Sequence, residues 1–387
     1  MMRIAVNMRL VLPGRMDGIG WFAYETTRRL VASHPEHRFL LLFDRPCTAL
    51  TSPEADEGMR KMMSAKNVET MILCPQARHP VLWRMFFELS VPMALRRWKA
   101  DIYLTPDGMM PLKPQVKTLC VIHDINFEHS PDNLIPSHQR YMTHYFPRFA
   151  KSATRVATVS EFSKSDIAAT YGVDAGRIDV VYDGAHSHYR PHSEAEKEAT
   201  RQRFTGGNPY LIFISTILKR KNLAGLLKAF DKVKDDDRRG LKLLVVGSRV
   251  WWQDELKEAY DTMHHRSDVI MLGRAEPDDL AALLSASEML VYPSLFEGFG
   301  IPILEAMYAE TAVVCSNTTS MPEVGGDAVE YVDPASPDDI ARGIRKVLDH
   351  SRRNALIERG REQRRTFSWD RTADLLWQSV ERIMQSR

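Results

Sequence analysis

Short runs of apolar, often β-branched residues recur along the chain. They alternate with longer stretches in which apolar residues return every three or four positions. The short runs predict strands over 3–7, 39–43, 70–74, 102–104, 118–122 and 155–159, and later over 210–215, 242–246, 269–271, 289–292 and 312–315. The longer stretches, such as 22–33 and 222–234, predict amphipathic helices. A helical pattern between most of the strands implies an α/β fold with parallel sheets and right-handed crossovers. The strands are almost wholly apolar, as strands covered on both faces should be. Residues 183–208 interrupt this pattern: they are polar, rich in charge and His, and end in Thr205-Gly206-Gly207-Asn208-Pro209. A domain junction is expected there, with a helix inside it at about 194–204. After Ser368, a plausible helix cap, Ala373, Leu376, Trp377, Val380, Ile383 and Met384 form one apolar helical face. Such a face must dock on something.

Length sharpens this reading. A chain of 387 residues exceeds one ordinary core. The expected domains are 1–190 and 191–367, with a closing helix over 368–387. A formal charge of +2 gives no global field that would favour nucleic acid. No apolar run approaches the roughly 20 residues that span a bilayer. The N-terminus reads as a first strand rather than a signal peptide. The cysteines (Cys47, Cys74, Cys120 and Cys315) form no metal spacing, and Cys120 and Cys315 sit in apolar runs as buried thiols. These features favour a cytoplasmic protein.

The most informative segment is Pro293-Ser294-Leu295-Phe296-Glu297-Gly298-Phe299-Gly300-Ile301-Pro302-Ile303-Leu304-Glu305. A strand ends, a glycine-bearing loop follows, and a helix begins near Pro302, a residue well tolerated in a first turn. The amides and dipole of such a turn make an anion site, and Gly298 and Gly300 let a phosphate approach the backbone. Glu297 and Glu305 are poor phosphate ligands but good acceptors for sugar and ribose hydroxyls, worth about 1.5–3 kcal/mol each when charged. A plain glycine turn with two solvated glutamates is the bland alternative. The coincidence of spacing, proline and strand–loop–helix context disfavours it.

Glu297 through Glu305 resembles the E-x7-E motif of the family-4 retaining glycosyltransferases, which have the GT-B fold. Further segments match the same family in the same order. They are Asp17-Gly18-Ile19-Gly20, Val121-Ile122-His123-Asp124, Thr158-Val159-Ser160-Glu161-Phe162-Ser163, Ser215-Thr216 through Arg220-Lys221-Asn222, and Pro322-Glu323-Val324 through Gly326-Asp327-Ala328. Within the family the chain is similar to mannosyltransferases of bacterial surface polysaccharides. The resemblance implies two Rossmann-like domains with parallel sheets facing across a cleft, an N-terminal acceptor domain and a C-terminal donor domain. It implies that the last helix returns to the N-terminal domain.

By the same resemblance, Glu297 accepts from donor-sugar hydroxyls and Glu305 from the ribose. Phe299, Gly300 and Ile301 hold the diphosphate together with Arg220 and Lys221. Gly18 and Gly20, placed before a helix starting near Trp21, face the pyrophosphate. His123, at a strand end, meets a sugar hydroxyl or the acceptor; alone it reads equally as a structural ring tied by Asp124. Lys219-Arg220-Lys221 alone reads as a solvated patch. Ser160 reads as a helix cap, and Glu323 as either a cleft residue or a helix start.

The implied reaction is retaining transfer of a hexose, with GDP-mannose the first choice of donor, to a glycan or lipid-linked glycan. A UDP-sugar is the alternative donor. No cofactor or metal is expected. No Asp-x-Asp ends a strand, and Asp235-Asp236-Asp237 lies in a charged surface stretch. The family's front-face mechanism lets the donor phosphate take the acceptor proton, so no protein base is assigned. Asn7, Trp21, Leu218-Lys219 and Ala309-Glu310-Thr311-Ala312 depart from the family pattern and bear on donor and acceptor choice. A nucleotide-dependent oxidoreductase is disfavoured, because Gly14, Gly18 and Gly20 lack GxGxxG spacing. An idle scaffold in a polysaccharide-synthesis complex is the other rival. Residues 83–98, with four aromatic rings, Arg84, Arg96, Arg97 and Pro92, read either as a core helix interrupted by proline or as a peripheral contact with the inner face of the cytoplasmic membrane.

Overall fold

A computed structural model describes residues 1–385 apart from 13, 15, 53–54, 132–133, 187, 249–251 and 253. The chain forms two compact units, Met1–Asp183 together with Trp369–Arg387, and Gly184–Ser368.

The first unit is built on β1 (Arg3–Asn7), β2 (Arg38–Phe43), β3 (Val68–Ile72), β4 (Ile102–Thr105), β5 (Lys117–Val121), β6 (Arg155–Thr158) and β7 (Ile178–Val180). They pair in the order β3-β2-β1-β4-β5-β6-β7, every pair parallel. Chain order reverses between β1 and β4, the switch point at which open sheets of this kind bind ligands beyond the strands' carboxyl ends. Phe86, Phe87, Tyr103, Phe127 and Phe149 lie in one core cluster. The closing helix, Trp369–Gln385, belongs to this unit: Trp377 stacks on His34 with ring centroids 3.5 Å apart, and Arg382 pairs with Asp179 at 2.6 Å. Leu376, Val380 and Ile383 are buried, whereas Met384 is exposed rather than part of the docked face.

The second unit carries β8 (Tyr210–Ile214), β9 (Lys242–Val246), β10 (Val269–Gly273), β11 (Met289–Tyr292), β12 (Ala312–Ser316) and β13 (Glu330–Val332). Their order is β10-β9-β8-β11-β12-β13, again all parallel, with the switch between β8 and β11. Its core includes Phe213, Leu226, Phe230, Val245, Val291, Val314 and Ile344.

Three local expectations change. The first long helix starts at Gly18, not near Trp21, because the Asp17 side chain caps it by accepting from the Gly20 amide at 2.9 Å. Gly18 and Gly20 thus lie in a helical first turn, where a Cβ on Gly20 would stand 2.6 Å from the Leu10 carbonyl oxygen. Pro92 does not interrupt the 80–98 segment. The α-helix Pro80–Met85 runs into a π-wound turn, Phe86–Ser90, and on into the α-helix Val91–Trp98. The wider winding accommodates the missing proline N–H and its ring. β7 and β13 lie outside the expected strands; each is a three-residue edge strand carrying a buried acid, Asp179 at the centre of the one and Glu330 at the start of the other.

Candidate active site

In the second unit the carboxyl ends of β8 and β11 meet at the switch point. After β8 the chain forms a single 3-10 turn, Lys219–Lys221, closed by Asn222 in a left-handed conformation at φ 57°. Asn222 caps the Leu223–Lys234 helix. Its amide donates to the carbonyls of Pro293 at 3.0 Å and Pro334 at 2.7 Å. The turn is therefore locked to the loop after β11. Leu295 N–H donates to the Arg220 carbonyl at 2.7 Å, and the Arg220 guanidinium donates to the Phe296 carbonyl at 2.8 Å.

This brings Arg220, Lys221 and Glu297 together, as a sequence separation of more than seventy residues does not reveal. Lys221 Nζ donates to Glu297 Oε1 at 2.5 Å and to the Tyr292 hydroxyl at 2.8 Å. Tyr292 donates in turn to Oε1 at 2.7 Å, as does the Ser294 hydroxyl, while Arg220 reaches Oε2 at 3.0 Å. Glu297 is 6% exposed and Lys221 8%, so the pair is largely shielded from screening. Burial pushes the Glu297 carboxyl upward, but the charges of Lys221 and Arg220 and the hydrogen bonds outweigh it and bring it down to about 2. Burial and the Glu297 charge push the Tyr292 phenol well up, so it remains a donor. Tyr292 and Ser294 carry no motif signal beyond standing at a strand end.

The loop is held from behind by the residues after β12. Ser320 Oγ lies 2.9 Å from both the Glu297 and the Phe299 carbonyl and shares its one proton between them, and Ser316 Oγ donates to the Ser294 carbonyl at 2.7 Å. Thr319 Oγ1 accepts from the Glu297 amide at 3.3 Å with its own backbone at φ 58°. A β-branched residue held there stores about 1–3 kcal/mol of strain. Gly298 and Phe299 lead to Gly300, at φ 104°, which opens the Ile301–Tyr308 helix. Its positive end points out of the switch point, an arrangement suited to an anion.

Glu305 lies one turn into that helix, buried and away from the Lys221 cluster's hydrogen bonds. Its partner is the buried Tyr189 hydroxyl, with His186 nearby. Burial raises its pKa to about 7, against the opposing influence of His186 and Tyr189. Two carboxyls eight positions apart thus have opposite proton affinities. Tyr189 stands in the weakly patterned junction, where no motif marks it. Glu323 lies in the first turn of the short Met321–Gly325 helix.

In the first unit, His123 follows β5. Its ring is not tied by Asp124: Nε2 lies 2.9 Å from the Pro106 carbonyl, which can only accept, so Nε2 carries the proton. Asp124 instead accepts from the Asn126 amide N–H at 3.0 Å. Burial lowers the His123 pKa, keeping the ring neutral, and Phe22 packs edge-on against it at 4.8 Å. Beside it, at the β1/β4 switch, lies a buried pair that no motif announces, Arg9 with Asp107. Asp107 also accepts from Thr105 Oγ1 at 2.9 Å, and Asn7 donates to Thr105 at 3.2 Å. Ser160 does cap its helix, accepting from the Ser163 amide at 3.0 Å.

Known proteins place this geometry. Residues 16–188 match the model of Glycosyltransferase Family 4, and residues 194–363 that of Glycosyl transferases group 1. The chain is 32% identical over 360 residues to O-antigen chain mannosyltransferase B of Escherichia coli, spanning 92% of this chain and 93% of that one. It is 28% identical to the O-antigen chain mannosyltransferase RfbU of Salmonella typhimurium over 66% of this chain and 67% of that one. Among solved structures, sucrose-phosphate synthase of Thermosynechococcus elongatus superposes with a TM-score of 0.76 at 16% identity over the whole of both chains. WaaG, a glycosyltransferase involved in lipopolysaccharide biosynthesis, gives 0.72 at 17% identity over 99% of this chain and all of that one. Two parallel-sheet units, the strand-end constellation, the two matched family models and the 32% identity to one O-antigen mannosyltransferase over 92% of this chain agree: the chain belongs to the family-4 glycosyltransferases and has the GT-B fold.

Proposed function

We propose that the protein transfers mannose from GDP-mannose, with retention, to a glycan or lipid-linked glycan during surface-polysaccharide synthesis. The observation that carries this reading is Arg220 and Lys221 fixed by Glu297 at the β8/β11 switch, beside the N-terminus of the Ile301–Tyr308 helix. Two cations and a helix dipole suit a diphosphate leaving group, on which negative charge grows as the glycosidic bond breaks. In this reading that charge is met by protein groups, and no metal is required. The similarity to two O-antigen mannosyltransferases favours mannose as the sugar. Calorimetric titration with GDP, UDP and ADP in a chelating buffer tests the proposal. Selective GDP binding is expected. Selective UDP binding would replace the donor, and no binding would favour the scaffold.

Glu305 is assigned to the ribose. An ionised carboxylate accepts from ribose hydroxyls more strongly than a protonated carboxyl, which turns one oxygen into a donor. With its pKa raised to about 7 by burial, nucleotide affinity should climb between pH 6 and 8 and then level off. Glu305→Gln should flatten this rise, while the titration of the nucleotide's own phosphate persists in both proteins. A wild-type profile in the variant would remove Glu305 from the site. The same raised pKa links stability to pH: between the ordinary 4.5 and about 7 the folded protein holds a proton that the unfolded chain has released, so stability falls as pH rises across that window and levels off above it.

The 80–98 helix supports a peripheral membrane contact. Among the described residues no helix is long and apolar enough to cross a membrane. On this helix, however, Val81, Met85, Leu89 and Met93 are 64%, 44%, 57% and 62% exposed. They recur every four residues. The π turn takes more residues per turn than an α-helix and so offsets the rotation this spacing would accumulate. Arg84, Arg96, Arg97 and Lys99 are the other exposed side chains of the run, and its one acid, Glu88, accepts from the Leu112 amide at 3.0 Å. An apolar line flanked by cations suits an anionic bilayer. Cosedimentation with anionic vesicles should weaken about tenfold or more in Arg96→Glu, Arg97→Glu; unchanged binding would overturn the contact.

A further inference from the structure

Beside the exposed apolar line lies a shallow groove between the Pro80–Met85 and Pro136–Ser152 helices. It has a volume of about 670 Å³ and is lined chiefly by Pro80, Ser137, Arg140, Tyr141, His144 and Tyr145. We propose that this groove binds the phosphate-bearing headgroup of a membrane-held lipid that carries the acceptor glycan. The inference rests on the lipid-linked acceptor proposed above and adds a place for it on this chain.

The argument begins with the aromatic wall. Trp83 packs against Tyr141 at 5.1 Å and against His138 at 4.6 Å between centroids, and Tyr141 against Tyr145 at 4.5 Å. His144 stands edge-on to Tyr145 at 4.6 Å. These rings fix one another, so the groove is preformed. Aromatic faces pack well against the C–H faces of sugars or against isoprenoid chains, with little ordering entropy to lose.

Charge gives the groove its sign. No carboxylate is among its lining residues. Arg140 enters no ion pair among the described residues, its Nε making a 3.4 Å contact with the Pro136 carbonyl. A guanidinium in an aromatic groove without a counter-charge suits a phosphate, which it binds through paired, charge-assisted hydrogen bonds. Position supplies the last step. Val81, 64% exposed, follows the lining residue Pro80 and heads the apolar line, and Ile135, 58% exposed, stands two residues before the lining residue Ser137. A headgroup in the groove would leave its lipid chain at the same face that meets the bilayer.

The test is flotation with two sets of phosphatidylcholine vesicles, one doped with a polyprenyl diphosphate and one with phosphatidylglycerol at matched surface charge. The wild-type protein should bind the diphosphate vesicles about tenfold more tightly, the scale of one charge-assisted contact. The double variant Arg140→Ala, His144→Ala should lose that preference and keep the phosphatidylglycerol binding. Both side chains are exposed, so the fold should persist, and a thermal melt checks it. Equal binding to both vesicle types overturns the groove alone, as does a preference that survives the double variant. Binding to neither overturns the groove and the membrane contact together.

Discussion

Lys221→Ala is expected to lower turnover by about 10²- to 10³-fold, the effect of removing one donor aimed at developing charge. It should also weaken nucleoside-diphosphate binding by about tenfold or more, because a charge-assisted hydrogen bond to phosphate is lost. Both readouts are needed. Lys221 is buried and paired with Glu297 at 2.5 Å, and removing one partner of a buried pair destabilises by about 3–5 kcal/mol when the other is left alone. Here Glu297 keeps Arg220, Tyr292 and Ser294, so the loss should be smaller and the fold should survive. Lys221→Met fills the space without the charge. If it melts near the wild-type temperature and is equally slow, the loss is chemical. A Lys221→Ala enzyme as fast as the wild type would remove the residue from the reaction.

The features legible in sequence were the local ones. The strands that read directly are those with unbroken apolar runs, such as Lys242–Val246, because a sheet covered on both faces demands them. β7 and β13 escaped because acids interrupt their short runs. Asp179 is held by Arg155 and Arg382, and Glu330 by Arg342, Lys346 and Arg352. Only the tertiary fold supplies the countercharges that let those acids lie in edge strands. Pro92 suggests a break in the 80–98 helix that the structure lacks, because the compensation is a change of winding, which no residue type announces. At the site, Glu297 and Glu305 stand out by their spacing on one strand–loop–helix unit, whereas Arg220 and Lys221 come only with the family resemblance, since their basic triplet alone reads as a solvated patch. What spacing does not carry is that the two segments interlock, or that burial and partners drive the two carboxyls in opposite directions. Tyr292, Ser294, Thr319 and Tyr189 enter only through that packing. Each is an ordinary residue type in a strand or loop, made functional by what lies opposite it.

Glu297→Ala separates two roles that the sequence merges. The family resemblance makes Glu297 an acceptor of sugar hydroxyls, yet its Oε1 takes hydrogen bonds from Lys221, Tyr292 and Ser294, and Oε2 from Arg220. A carboxylate so engaged fixes where two cations stand. Removing it takes a negative charge away from the neighbourhood of a bound diphosphate, so nucleoside-diphosphate affinity should hold or improve. Turnover should still fall by about 10²–10³-fold, because catalytic groups displaced by even an ångström lose much of their effect on the transition state. The pattern is thus the opposite of Lys221→Ala in binding and alike in rate. Glu297→Gln, which keeps size and some hydrogen bonding, should lie between wild type and Glu297→Ala in turnover. Parallel loss of binding and rate in Glu297→Ala, with a lowered melting temperature, would make Glu297 a structural residue of the loop and leave Lys221 and Arg220 to act without it.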